Sequence, residues 1–242
     1  MRWHESIDEG TAEYTNGSND PNEPNDPNDP NVPNGPNDML VKICGITRLS
    51  DARHAVDCGA DALGFVFWPK SPRYIVPERA AEIIATLPAH VTAVGVFVNE
   101  SVDGIRDVVV RTGIQTVQLH GDETPDYASV LGRPVWRAVG VSEAADAMAA
   151  WPPDTTLLLD VVDPVRRGTG LTVDWQHAAT IARAHRIVLA GGLTPENVAG
   201  AIEVVRPYGV DVSSGVEDSP GVKNVDKVER FLTGARSAFD KQ

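Results

Sequence analysis

Short apolar runs alternate with longer amphipathic stretches from residue 39 to the end of the chain. The short runs, rich in β-branched residues, predict buried strands at 40–44, 62–67, 93–98, 115–119, 134–139, 156–160, 186–190 and 209–213. The stretches between them have the apolar spacing of helices, at 50–58, 77–86, 101–112, 124–131, 142–150, 174–184, 195–205 and 224–239. Pro77-Glu78 and Pro195-Glu196 place a proline and an acid in a first helical turn, with Thr194 as the N-cap before the second.

This alternation predicts the fold class. Eight strands, each followed by a helix, in about 200 residues are typical of a single (β/α)8 TIM barrel, here spanning residues 39–242. An open doubly wound sheet is the alternative. It usually has fewer strands, and its glycine fingerprint is missing after the first strand.

The N-terminal segment 1–38 has a different composition from the rest of the chain. Residues 17–38 repeat Asn, Asp and Pro with almost no apolar side chains. Such a segment buries too little surface to offset its ordering entropy, so we expect a disordered acidic tail before the barrel. Met39 directly precedes the first predicted strand and is an alternative start of the protein.

Charge and cysteine content narrow the class of protein. The net charge is −13, and residues 1–38, with one arginine and nine carboxylates, supply −8 of it. The mildly acidic body argues against a nucleic-acid partner, which would require clustered Lys and Arg. Only five residues are lysines, which fits a salt-adapted cytoplasm or a GC-rich genome.

Two cysteines exclude a disulfide framework, and without an apolar span or secretory signal we expect a cytoplasmic protein with no membrane association.

Loops at the carboxyl ends of the strands form the active sites of such barrels, and the last two predict a phosphate site. Gly191 and Gly192 follow the seventh strand, and Ser213, Ser214 and Gly215 follow the eighth. Glycines allow backbone N–H groups to approach an anion closely. Tight turns with capping serines are the alternative. The Gly-rich loop 163–170 could close over the same phosphate through Gly168 or Gly170, or it could be an ordinary surface loop.

Three other strand ends carry candidate chemistry. Asp160 closes a leucine-rich strand, either as a capping or ion-paired carboxylate or as a general acid with a raised pKa. Cys44 closes the first strand and is a candidate base or nucleophile. The base is preferred because no partner set for a cysteine hydrolase is evident. Arg73 follows the second strand, either in a surface salt bridge or as a cation for an acidic part of a substrate.

Other histidines and cysteines carry weaker signals. Cys58 lies on the first predicted helix and is expected to pack. The six histidines lack metal-ligand spacing, so we predict no metal site. His120 alone follows a strand, where a structural hydrogen bond is the commoner role.

The ordered motifs of residues 40–232 closely resemble phosphoribosylanthranilate isomerases of tryptophan biosynthesis. The motifs are VKICGIT, GADALGFVFWPKSPRYI, VGVFVN, VQLHG, LLLD, GGLTPENV, VDVSSGVE and PGVK. The resemblance implies an Amadori rearrangement of N-(5-phospho-β-D-ribosyl)anthranilate to 1-(2-carboxyphenylamino)-1-deoxyribulose 5-phosphate, without a metal or organic cofactor. It also implies that Cys44 is the general base, Asp160 the general acid and Arg73 a ligand of the anthranilate end. The two Gly/Ser turns would then be the phosphate cradle.

Three alternatives to this function remain at the level of sequence. A bifunctional histidine/tryptophan isomerase would have two aspartates and a half-barrel repeat, and an indole-glycerol-phosphate synthase would have Lys and Glu closing early strands. Lys42 instead falls within a strand. A non-catalytic phosphosugar-binding barrel is the alternative from a different class. Relatives occur as monomers and dimers, so we expect a monomer or a homodimer.

Overall fold

Parallel strands close into a barrel in the computed structural model, which describes residues 39–161 and 173–242. The eight barrel strands are β1 (Leu40–Ile43), β2 (Ala62–Val66), β3 (Thr92–Phe97), β4 (Thr116–Leu119), β5 (Val135–Val139), β6 (Thr156–Leu159), β7 (Ile187–Leu189) and β8 (Gly209–Val212). Each strand pairs with the next, and β1 pairs with β8, so no edge of the barrel is left unpaired. The predicted (β/α)8 barrel is confirmed.

Helices follow the strands and cover the outside of the barrel. They are α1 (Leu49–Asp57), α2 (Pro77–Ile84), α3 (Val102–Thr112), α4 (Asp126–Val130), α5 (Ala144–Ala150), α6 (Trp175–Ala182), α7 (Val198–Val205) and α8 (Val225–Phe239). Pro77 occupies the first turn of α2, as predicted. The cap predicted at Thr194 is present in the turn that leads into α7. Its Oγ1 accepts from the N–H of Glu196 (3.2 Å), and its own N–H donates to Asn197 Oδ1 (2.8 Å).

Alternate residues of each strand face opposite sides of the barrel wall. On β1, Val41 and Ile43 pack outward into the large core between strands and helices. Lys42 and Cys44 therefore point into the barrel. A small apolar layer fills the interior: Ala62, Val94, Trp136, Ala138, Leu158, Val188 and Ala190. Cys44 packs above it with Val66 and Val96.

A short antiparallel hairpin follows β8 and was not predicted from the sequence. Its strands are β9 (Glu217–Ser219) and β10 (Val222–Lys223). The hairpin is fixed to the segment after β1, since Thr47 Oγ1 donates to the carbonyl oxygen of Gly221 (2.5 Å). The backbone N–H of Lys223 also donates to Asp51 Oδ2 on α1 (3.0 Å). The hairpin therefore joins the loops that follow the first and last barrel strands.

Some predictions lie outside the described residues. These are the tail 1–38 and the whole loop 163–170, with Gly168 and Gly170 in it. In the described part of the chain, no helix has the length and apolarity needed to cross a bilayer. The same residues contain no cluster of three or more His, Cys, Asp or Glu side chains that could hold a metal ion.

Candidate active site

A cavity of about 720 Å³ opens at the carboxyl ends of the strands. Every predicted site residue that the structure describes lines this cavity: Cys44, Arg73, Asp160, Gly191, Gly192, Ser213, Ser214 and Gly215. These residues come from five segments that are far apart in sequence. The barrel brings them together because the carboxyl ends of all its parallel strands meet at one face.

Cys44 lies at the end of β1 with its backbone fixed on both sides. Its N–H donates to the carbonyl oxygen of Val212 (2.8 Å), and its own carbonyl oxygen accepts from Lys223 Nζ (2.5 Å). A side chain at Gly64 would collide with the thiol, because a Cβ built there lies 2.6 Å from Cys44 Sγ. Burial raises the pKa of the Cys44 thiol, although the charge of Lys42 opposes this effect. The thiol is thus held at the cavity floor in a fixed place.

Asp160 lies in the loop directly after β6 and is partly exposed to the cavity. Its Oδ1 accepts from the N–H of Val161 (2.7 Å), and its Oδ2 lies 3.5 Å from His120 Nε2. His120 Nδ1 lies 3.1 Å from Gln118 Nε2. An amide nitrogen only donates, so with this amide orientation Nδ1 accepts and Nε2 carries the hydrogen toward Asp160. His120, expected to make a structural hydrogen bond, is therefore a direct neighbour of the candidate acid.

Arg73 reaches the cavity from the loop after β2 and is held by a buried carboxylate on β9. Its Nη2 and Nε donate to Glu217 Oε2 (2.7 Å) and Oε1 (3.0 Å). Lys223 Nζ donates to the same Oε1 (2.8 Å). Burial opposes the charged form of Glu217, but the bonds from Arg73 and the charge of Lys223 outweigh it and lower the pKa of the carboxyl. Sequence reasoning missed Glu217 and Lys223, since their pairing appears only once the hairpin is formed.

Two backbone turns, after β7 and after β8, form another part of the cavity wall. Gly191 and Gly192 have φ values of +73° and +69°, a left-handed conformation that glycine adopts without strain. A Cβ on Gly215 would overlap the carbonyl oxygen of Leu193, so the two turns touch each other. Ser213 Oγ is buried and has no hydrogen-bond partner among the described residues. A cradle of close backbone and a buried hydroxyl suits an anion.

A buried ion pair lies in the barrel below Cys44. Lys42 and Asp211 are register partners across the β1–β8 seam, and Lys42 Nζ lies 3.0 Å from Asp211 Oδ1. The attraction of Asp211 overcomes the burial of the lysine and raises the pKa of Lys42. The signal was present in the sequence, as an oppositely charged residue in the middle of the first and last strands.

Comparison with known proteins gives one consistent result. The family model for N-(5'-phosphoribosyl)anthranilate (PRA) isomerase matches residues 41–233. An N-(5'-phosphoribosyl)anthranilate isomerase of Trichlorobacter lovleyi is 52% identical over 203 residues, which cover 82% of this chain and 98% of that protein.

Solved structures agree. The phosphoribosyl anthranilate isomerase of Thermotoga maritima has 45% sequence identity and a TM-score of 0.77, over 82% of this chain and 99% of that one. A second similar structure has 43% identity and a TM-score of 0.74, over 82% of this chain and 99% of that one. It is a complex with reduced 1-(o-carboxyphenylamino)-1-deoxyribulose 5-phosphate. With the barrel, the shared motifs and the matching length, the chain belongs to the N-(5'-phosphoribosyl)anthranilate isomerase family.

Proposed function

We propose that this barrel isomerises N-(5-phospho-β-D-ribosyl)anthranilate with Cys44 as general base and Asp160 as general acid. The activity itself is that of the family, an isomerase step in tryptophan biosynthesis. The observation that carries the assignment of roles is that both side chains border one cavity, from β1 and from the end of β6. An acid and a base that act on different atoms of one bound sugar must lie at different positions around it.

Asp160 is assigned to ring opening. A protonated carboxyl donates its proton to the furanose ring oxygen, and the bond from that oxygen to C1 breaks. The lone pair of the anthranilate nitrogen then forms the C1=N double bond of a protonated imine. His120, whose Nε2 lies 3.5 Å from Asp160 Oδ2, helps to fix the orientation of the carboxyl group.

Cys44 is assigned to the second step. Its thiolate takes the proton from C2, and the C2–H electron pair forms the C1=C2 bond while the imine π electrons return to nitrogen. The resulting enol-amine tautomerises to the ketone: the C1=C2 π electrons take up a proton at C1, and the C2 hydroxyl releases its proton as its electrons form the C2=O bond. The fixed backbone of Cys44 and the absence of a side chain on Gly64 keep the sulfur aimed at the substrate.

The ends of the substrate are assigned to two different walls. The phosphate is proposed to bind the turns at Gly191, Gly192, Ser213, Ser214 and Gly215, with Gly168 and Gly170 as further predicted ligands. The buried hydroxyl of Ser213, which has no hydrogen-bond partner in the described part of the chain, supports this placement. Arg73 is proposed to hold the anthranilate carboxylate. Its guanidinium is already oriented by Glu217, so little ordering is needed when substrate binds.

Turnover of enzymatically generated phosphoribosylanthranilate, followed through anthranilate fluorescence, tests the proposal. Cys44→Ala and Asp160→Asn are expected to lower kcat by a factor of about 10² to 10⁴, the usual loss for a general acid or base. Cys58→Ala and Asp154→Asn are the matched controls, and both should retain turnover. A fully active Cys44→Ala would overturn the assignment of the base. Binding of phosphosugar by the wild-type chain without turnover would favour the non-catalytic alternative.

We further propose a cytoplasmic enzyme adapted to salt, acting as a monomer or a homodimer. The net charge of −13 with five lysines supports salt adaptation. The proposed catalytic pair comes from one chain, so either oligomeric state would contain a complete pair. Turnover at low and at molar salt, together with analytical ultracentrifugation, tests both points. Activity that collapses in molar salt would contradict the salt adaptation.

A further inference from the structure

The Lys42–Asp211 pair is buried inside the barrel, where a charged group loses its hydration. Lys42 has no exposed surface and Asp211 is 7% exposed. Removing two charges from water carries a large desolvation penalty for each ion, and a hydrophobic pair of similar volume often gives equal or greater stability. The interior around the pair contains an apolar layer, including the Trp136 ring, whose centroid lies 5.9 Å from Lys42 Nζ. A role in stability alone therefore explains the pair poorly.

Lys42 and Cys44 are two residues apart on β1 and face the same side of the barrel wall. Both side chains pass over Gly64. A Cβ built on that glycine would lie 2.6 Å from Cys44 Sγ and 3.1 Å from Lys42 Cε. Both side chains lie against this one position, so the charge of the lysine ammonium acts on the thiol at short range. One cation therefore has two acidic neighbours, the thiol of Cys44 above it and the carboxyl of Asp211 beside it.

We propose that Lys42 is a positioning residue that stabilises the thiolate of Cys44, and that Asp211 regulates this effect by competing for the same ammonium. The inference rests on the proposed role of Cys44 as base. Cys44 packs against Val66, Val96 and Trp68, which offer no stabilisation to a thiolate. An adjacent cation is the usual means of ionising a cysteine.

Other charged groups around Cys44 are already engaged elsewhere. From β10, Lys223 Nζ bonds to the Cys44 carbonyl oxygen and to Glu217. From the loop after β2, Arg73 is paired with the same glutamate. Asp160 and His120, beyond the ends of β6 and β4, affect the pKa of Asp211, which Asp160 raises and His120 lowers. Lys42 thus remains the cation on the same side of β1 as the sulfur. Its charge lowers the pKa of the thiol more than the charge of Lys223 does.

The two members of the pair act on the thiol in opposite directions. Burial raises the pKa of Cys44, the ammonium of Lys42 lowers it, and the negative charge of Asp211 raises it. Lys42→Met removes the cation and should make the thiolate rarer. Asp211→Asn removes the competing anion and should make the thiolate more abundant. A purely structural role for the pair would not give opposite signs.

Alkylation of Cys44 by iodoacetamide measures the thiolate without requiring turnover. The full chain carries Cys58→Ser, so that Cys44 is the reacting thiol, and mass spectrometry confirms the modified residue. Rates are recorded from about pH 6 to pH 10. At pH 8 we expect Lys42→Met to react at least about tenfold more slowly than the Cys58→Ser parent, which corresponds to one unit in the pKa. Asp211→Asn should react severalfold faster.

Turnover gives the second readout. Lys42→Met should lower kcat and move the rising limb of its pH profile to higher pH, with KM nearly unchanged because the proposed anion contacts lie elsewhere. Lys241→Met is the control lysine, since it is exposed after the end of α8, outside the site. Its alkylation midpoint, the pH at which the alkylation rate is half-maximal, should stay closer to that of the Cys58→Ser parent than the midpoint of Lys42→Met does.

Some outcomes would overturn the inference. Unchanged alkylation midpoints in both folded variants would do so, as would a shift of both midpoints in the same direction. Circular dichroism establishes that each variant is folded, and if Lys42→Met is not, a slower reaction in Asp211→Asn overturns the inference by itself. Failure of the proposed function is distinct, because it would appear as an active Cys44→Ala whatever the alkylation rates.

Discussion

The guanidinium of Arg73 and the carboxylate of Glu217 form a two-bond ion pair across the mouth of the barrel, with Nη2–Oε2 and Nε–Oε1 distances of 2.7 and 3.0 Å. The side chain of Arg73 is 13% exposed and that of Glu217 is 4% exposed. The pair joins the loop after β2 to the hairpin after β8. It therefore fixes the direction of the proposed substrate-binding arginine.

Replacing Glu217 by glutamine should weaken both the fold and substrate binding. Arg73 and Lys223 would each lose their ionised partner, and breaking a buried pair costs about 3 kcal/mol of unfolding free energy. KM should rise about tenfold, because one neutral amide cannot replace a bidentate carboxylate. Urea unfolding and steady-state kinetics measure the two effects.

Glu196→Gln is the matched control for that change. Glu196 pairs with Arg230 on the exposed surface, so its replacement should change stability by less than about 1 kcal/mol and leave KM unaltered. Equal losses in the two variants would mean that the Arg73–Glu217 pair has no special role.

Stability should depend on the ionisation of Glu217 in acid. Arg73 and Lys223 hold the pKa of this carboxyl below its ordinary value of 4.5, against the effect of burial. A depressed pKa contributes stability above the unfolded value, and this contribution is lost as the pH falls through the folded value. The difference in unfolding free energy between wild type and Glu217→Gln should therefore shrink from about pH 6 to about pH 3. A difference that stays constant over this range would contradict the linkage.

Gly215→Ala should disturb the proposed phosphate cradle. The added methyl group would overlap the carbonyl oxygen of Leu193, so the turn after β8 must move away from the turn after β7. We expect a higher KM and weaker inhibition by inorganic phosphate, each by about tenfold or more, since small displacements in a binding site are costly.

Gly200→Ala on α7 is the control, because its Cβ would meet no atom within 4 Å. This change should raise stability by roughly 0.5–1 kcal/mol through helix propensity and leave phosphate inhibition unchanged. If Gly215→Ala kept wild-type phosphate inhibition, the cradle would have to lie elsewhere.

Gly64→Ala should act on the sulfur of Cys44. The new Cβ would lie 2.6 Å from Cys44 Sγ, so the thiol must turn away from its present direction. The overpacking should cost about 1–3 kcal/mol of stability, and kcat should fall more than KM changes. In a double-mutant cycle, Cys44→Ala should recover part of the lost stability, as expected for residues in contact. Strict additivity would show that the strain lies in another neighbour.

The barrel itself was predictable, because strands buried on both faces have a strong local signature. β1 and β8 begin and end within one residue of their predicted bounds. The residues expected at the mouth, such as Cys44 and Asp160, do line one cavity, since the fold class fixes which strand ends meet. Their roles in the reaction stay predictions.

Long-range charge pairing was not predictable in the same way. Lys42 and Asp211 are 169 positions apart, and only closure of the sheet makes them neighbours. Glu217 and Lys223 read as ordinary polar residues until the hairpin buries them. The cap at Thr194, by contrast, was predictable because it is local: its side chain accepts from the N–H of Glu196, two positions further on.

The seam between β1 and β8 also determines when the site can assemble. Cys44 is made early in synthesis, whereas Asp211 and Lys223, which surround it, come near the end of the chain. Arg236 on α8 then fastens the seam by donating to the carbonyl oxygen of Met39 (2.7 Å). Contacts of such long sequence separation form late and slowly. A nascent chain therefore carries an ordinary cysteine, and its thiol acquires its final electrostatic surroundings only after β8 and β10 have been synthesised and packed against β1.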